Sequence, residues 1–177
     1  MQKIAALLTI IVCLSSCKTA KRPHVITKKS DQQKTVYHPK KTTSNNTANY
    51  ELATNIVNIA KEYNGVRYKY GGTTQRGMDC SGLICTAFKS ENIQLPRTSH
   101  AMSKEGRPIP LNDIQKGDLL FFQTNKNKKV VNHVGLVVES LPGRIDFIHS
   151  TSSKGVIISN LNESYWNLAF YEARRVL

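Results

Sequence analysis

Apolar residues run from Ile4 to Leu14, broken only by Thr9, then thin out between Lys18 and Asn49 and return with regular spacing from Leu52 onward. The first run follows a short positive start, Met1-Gln2-Lys3. As a helix its length would be about 16 Å, against a hydrocarbon core of about 30 Å, so it predicts an export signal rather than a membrane span. Residues 18–49 are mostly Lys, Thr, Ser, Asn and Gln. Such a segment cannot bury enough surface to offset the entropy of ordering, and we expect a flexible tether.

The folded part is expected over residues 50–177. Leu52, Ile56, Ile59, Ala60 and Tyr63 share one face of a 3.6-residue period, and Gly65 stands where a helix-terminating glycine belongs. A second helix is predicted around Leu83, Ile84, Ala87 and Phe88, approached through Gly71-Gly72 and Gly77 and starting near Cys80. After Pro110 the texture changes to short β-rich runs at 118–123, 133–139, 144–150, 155–159 and 170–176. Turn residues such as Asn125, Pro142-Gly143 and Lys154-Gly155 separate them. Helices first and an antiparallel meander second give an α+β fold.

Charge sharpens the division. Of the net +13, residues 1–49 contribute +8 and residues 50–177 contribute +5. A basic arm suits an anionic surface or polymer, but no zinc-finger spacing, aromatic RNP-like run or helix-turn-helix signature accompanies it, so no nucleic-acid partner is expected. Cys80 and Cys85 lie five apart on one predicted helix, about 8 Å between Cα atoms, beyond disulfide reach. Cys-x-x-Cys spacing and clustered histidines are lacking, so no metal site is expected.

The candidate chemistry centres on Cys80. A thiol attacks only as thiolate, and a helix N-terminus favours that anion; a packed small residue is the competing reading. Cys85, further along the same helix among apolar neighbours, is expected to be buried and inert. A cysteine nucleophile needs a base and a group that orients the base. His133 starts one predicted strand and His149 closes the next, so both could meet at one edge of the sheet, although each alone could be structural. His100 sits in the polar segment SHAMSKEG and reads as surface.

Six segments in order resemble the NlpC/P60 family of cell-wall cysteine peptidases: RYKYGG at 67–72, DCSGL at 79–83, PRTS at 96–99, GDLLFF at 117–122, HVGLVV at 133–138 and FIHSTSSKGV at 147–156. The tail from Gly155 to Leu177 resembles the Spr-type lipoprotein murein endopeptidases of that family. The resemblance implies a papain-like core with the nucleophile helix packed on an antiparallel sheet. It also implies that Cys80 attacks the scissile carbonyl, His133 is general base and acid, and His149 orients His133. Tyr68 matches a tyrosine beside the oxyanion site, and Asp79 and Ser81 match positions facing the substrate peptide. A carboxylate beside a thiolate opposes its ionisation, so Asp79 makes sense as a partner for a cationic substrate group, with a helix-start carboxylate as the competing role. Met102 stands where relatives usually carry Gln, which removes a polar contact expected near the cleft.

The end of the first apolar run, Leu14-Ser15-Ser16-Cys17, resembles the lipobox of bacterial lipoproteins. Residues 1–16 are then expected as signal peptide and Cys17 as the lipidated first residue of the mature chain. Residues 17–49 form the tether and 50–177 the peptidase domain. The expected partners are peptidoglycan and, through Cys17, a membrane, with the monomeric protein on the outer membrane facing the periplasm. No cofactor or metal is implied. The expected reaction is hydrolysis of stem-peptide bonds, with the D-Ala to diaminopimelate cross-link favoured over the γ-D-Glu to diaminopimelate bond. A non-catalytic wall-binding lipoprotein is the alternative from another class.

Overall fold

The computed structural model describes residues 43–177 other than Lys126; the expected signal peptide, Cys17 and most of the tether lie outside the described residues. Helix α1 spans Thr43–Glu62 and buries Ala53, Ile56, Val57 and Ala60, so the buried stripe is centred beside the expected face, whose Leu52, Ile59 and Tyr63 are only partly buried. It starts seven residues before the expected domain boundary. The added turns carry exposed polar side chains at Asn46 and Asn49 that bury nothing. Their helicity extends the amphipathic part, because propagating a helix costs far less than nucleating one.

A two-residue hairpin, β1 (Thr73–Thr74) and β2 (Gly77–Met78), leads into α2 (Cys80–Lys89). A short helix α3 (Ser99–Met102) follows, then β3 (Arg107–Ile109) and the strands β4 (Leu119–Phe122), β5 (His133–Leu141), β6 (Arg144–Thr151) and β7 (Gly155–Asn160). Helix α4 (Ser164–Ala169) precedes the last strand, β8 (Phe170–Arg175). The sheet has the order β3-β8-β4-β5-β6-β7, and every pairing is antiparallel. Helices packed on an antiparallel sheet are the expected α+β arrangement. The five expected strands are present, each displaced by at most two residues at an end, while β3 and the β1–β2 hairpin are additional.

The sheet is buried on both faces. Along β4, Leu119 and Phe121 join the core beneath α1 and α2, with Ile56, Leu83, Phe88, Val134, Leu136 and Ile148. The alternate residues Leu120 and Phe122 enter a second core with Val137, Phe147, Leu161, Trp166 and Ala173. That double burial explains why LLFF is a continuous apolar run rather than an alternating one. The second core matters for function because the histidines lie in it.

Candidate active site

Helix α2 is built to present Cys80. Asp79, in extended conformation, caps it by accepting a hydrogen bond from the Gly82 amide at 2.7 Å. Gly82 lets the first turn press against the preceding loop, since a Cβ there would lie 2.1 Å from the Gly72 carbonyl oxygen. Cys80 is thereby fixed as the first helical residue. Its sulfur is approached by the backbone N–H of Val134, the residue after His133, and by the amides of Ser81 and of Cys80 itself. These amides favour thiolate, but burial and the charge of Asp79 oppose it, and the thiol is pushed up from its ordinary value. The expected lowering by the helix terminus is thus outweighed by desolvation.

The two histidines meet in the second core. His133 Nε2 and His149 Nδ1 are 2.9 Å apart, and both residues are buried. Gly135 makes room for the pair: a Cβ there would lie 2.4 Å from the Phe147 ring and 3.4 Å from His149 Cβ. Trp166 covers both imidazoles, stacked on His133 at a centroid distance of 5.2 Å and edge-on to His149 at 4.5 Å. Under this cover, burial pushes His133 down to about 4. Burial and the neighbouring His133 push His149 lower still. Both rings are therefore held neutral at pH 7, and the thiol, pushed up by burial, is held toward its neutral form as well. The far nitrogen of His149, Nε2, is 3.0 Å from Ser159 Oγ, which is also buried.

Asp79, expected to face the substrate or to serve the helix start, is tied into the protein itself. Its oxygens accept hydrogen bonds from both terminal nitrogens of Arg97, at 2.9 and 2.8 Å, and from the amides of Gly82 and Gly71, each at 2.7 Å. Burial pushes its pKa up, but these four bonds outweigh that and hold the carboxyl below its usual range. Its charge is matched inside the protein, which is the competing helix-start role in an elaborated form. Ser81, buried, accepts a further bond from Arg97 at 2.8 Å and so supports the ion pair instead of projecting outward. Arg97 itself is 41% exposed in its side chain. Tyr68 is half-buried, bridges to Met78, and has its hydroxyl pushed up by burial and by neighbouring Cys80 and Asp79.

Cys85 is half-buried rather than fully buried, with its sulfur against the carbonyls of Leu95 and Pro96, and burial pushes that thiol up as well. His100 is exposed. Met102 is fully buried in the core beneath the helices, so the position where a polar residue was expected has become a packing position. Among the described residues, no group of three or more His, Cys, Asp or Glu is arranged to hold a metal ion.

Three residues of the site escaped the sequence analysis. Ser159 ends an apolar run and Trp166 lies in the segment ESYWNLAF; neither has a local signal, because their partners come from other strands. Arg97 was visible only as part of PRTS. Together the site's residues set a thiol at a helix start against the strand that carries a shielded imidazole pair, the residue types that attack on an acyl carbon calls for.

Fold and site together define a class: α+β domains that set a thiol at the start of a helix against a strand carrying a buried, paired histidine. Residues 65–175 match the NlpC/P60 family, and the chain belongs to it. It is 31% identical over 175 residues to the murein DD-endopeptidase MepS/murein LD-carboxypeptidase of Escherichia coli (strain K12), covering 96% of this chain and 89% of the relative. It is 40% identical over 124 residues to the gamma-DL-glutamyl hydrolase of Bacillus subtilis (strain 168), covering 68% of this chain but only 29% of that protein. Among solved structures, an NlpC/P60 family protein from Bacillus cereus ATCC 10987 superposes with a TM-score of 0.65 at 34% identity, over 71% of this chain and 40% of the other.

Proposed function

We propose that this protein is a cysteine peptidase that hydrolyses peptide bonds of peptidoglycan. The observation that carries the proposal is the contact between His133 Nε2 and His149 Nδ1, on the strand whose next residue, Val134, touches the Cys80 sulfur. With Nε2 committed to His149, Nδ1 is the ring nitrogen left to serve the thiol. Cys80 Sγ attacks the scissile carbonyl while His133 takes its proton; His133 then gives that proton to the departing amine, and water hydrolyses the thioester. In this reading His149 orients His133, and Tyr68, whose hydroxyl feels the neighbouring Cys80 and Asp79, serves the oxyanion site. Similarity to a named murein endopeptidase over nearly the whole chain supports the wall as substrate. A wall-binding protein without turnover would gain nothing from a buried histidine pair on the strand that touches the Cys80 sulfur.

The favoured bond is the cross-link between D-Ala and diaminopimelate. Cleavage between γ-D-Glu and diaminopimelate would call on Asp79 to receive the free amino terminus of the stem, and that carboxylate is already matched by Arg97. Incubating a purified cross-linked dimer muropeptide with the enzyme tests this. Monomers with intact stems support the cross-link reading, whereas release of L-Ala-γ-D-Glu with the cross-link untouched overturns it. Parallel reactions with Cys80→Ala and Cys85→Ala test the nucleophile: the first should be inactive and the second nearly unchanged.

The LSSC segment supports the further proposal that Cys17 is lipidated and holds a monomeric enzyme on the outer membrane, facing the periplasm, through the basic tether. One acyl chain binds a membrane only marginally, so more than one is needed. Cys17→Ser should release soluble protein, and a variant that stayed in the membrane fraction with unchanged mobility would refute the anchor.

A further inference from the structure

Only one proton can lie between His133 Nε2 and His149 Nδ1, and its position decides what the site can do. If His149 holds it, His133 must carry its own proton on Nδ1, the nitrogen that faces the task of accepting one from Cys80. A neutral His133 can act as base only when its proton is on Nε2 and points at His149. His149 must then be protonated on Nε2, and that N–H needs a buried acceptor. Ser159 Oγ stands 3.0 Å away, in strand β7 at the sheet's edge, with Ser159 itself 6% exposed. Within β6 and β7, Ser159 pairs directly with Phe147, so its side chain shares the face of His149 two residues on.

We infer that Ser159 is a positioning residue for this site: its hydroxyl accepts from His149 Nε2–H and thereby holds both histidines in the tautomers that leave His133 Nδ1 free. The inference rests on the cysteine-peptidase reading and adds a fourth member to its proton chain. When His133 takes the thiol proton it is protonated on both nitrogens, and its Nε2–H still donates to His149. The chain therefore needs no reversal during attack. A hydroxyl is suited to this because it is neutral, so it fixes a direction without offering a carboxylate that would draw the proton away from His133 in the resting enzyme.

The test uses the whole chain labelled with ¹⁵N-histidine, together with steady-state kinetics on cross-linked muropeptide. In the unsubstituted enzyme both histidines should show protonated Nε2 and unprotonated Nδ1. In Ser159→Ala the His149 population should move toward the Nδ1–H form, with kcat falling roughly tenfold, the order set by one buried hydrogen bond, and KM nearly unchanged. Ser159→Thr, which keeps the hydroxyl, should restore kcat and the tautomers. Ser159→Ala with unaltered tautomers and unaltered kcat, alongside an inactive Cys80→Ala, would overturn the role of Ser159 and leave the peptidase reading standing. Turnover by Cys80→Ala would instead remove that reading. If Ser159→Ala did not fold, the unsubstituted enzyme would still decide, because a resting His149 protonated on Nδ1 contradicts the inference outright.

Discussion

Arg97 grips both carboxylate oxygens of Asp79, at 2.9 and 2.8 Å, and Asp79 is the residue next to Cys80 in sequence. Asp79 needs this partner because its charge pushes the Cys80 thiol up. Arg97→Ala should therefore raise the thiol pKa further, shift the acidic limb of the kcat/KM profile to higher pH and reduce activity at neutral pH. Because Arg97 is partly exposed, the stability loss should be about 1–2 kcal/mol, below that of a fully buried pair. Arg97→Lys should recover little, since an ammonium cannot hold two oxygens in the same fork. An unshifted pH profile in Arg97→Ala would refute this role.

The histidine pair sets a pH window for stability. Burial holds His133 at about 4 in the folded protein, against 6.5 when unfolded, and displaces His149 in the same direction. Between those values the unfolded chain binds protons that the folded one refuses, so stability falls as pH drops from 6.5 to 4 and is unaffected by His133 above that range. For His133 alone the loss is on the order of 3 kcal/mol, at about 1.4 kcal/mol per pH unit. The carboxylates of Asp79 and Asp146, held low by their arginines, lose stability only at more acidic pH. Urea midpoints measured from pH 8 to 4 should show the decline, and a His133→Asn, His149→Asn double variant should be nearly flat.

Trp166 keeps water from the imidazoles. Trp166→Ala should destabilise the fold by about 3 kcal/mol through the lost burial, and Trp166→Phe by less. In both variants the His133 pKa should rise toward 6.5 as water enters, measured by NMR titration. An unchanged titration would show that other groups supply the shielding.

Gly135→Ala should cost about 1–3 kcal/mol, because the new methyl group meets the Phe147 ring. Activity should fall with stability, since His149 leans on the same space. Adding Phe147→Leu should restore part of both, as read by thermal melting and by turnover.

The sequence displayed the sheet well because its strands are short, apolar and bounded by turn residues, as in His133–Leu141 and Arg144–Thr151. The start of α1 was hidden, for its first turns are polar and have no amphipathic signal. Strand β3 was hidden too: Arg107–Ile109 contains a proline and belongs to the sheet only through β8. In the site, Cys80 and the two histidines stood out because their residue types are chemically exceptional. Ser159 and Trp166 did not, as a serine at the end of an apolar strand and a tryptophan in a short helix have ordinary structural uses. Asp79 was legible as a residue, but its ion pair was not, since the cation that neutralises it lies 18 positions away.

Burial of Cys80 has a consequence for endurance between turnovers. Thiolates attack peroxides and disulfides, and the rates follow the fraction of sulfur that is ionised. A sulfur kept protonated until a substrate arrives stays at the bottom of the oxidation ladder, where no repair enzyme is needed. Cys85, also pushed toward the protonated form, shares that protection. The desolvation that opposes ionisation thus guards both thiols against oxidants that react with the ionised form.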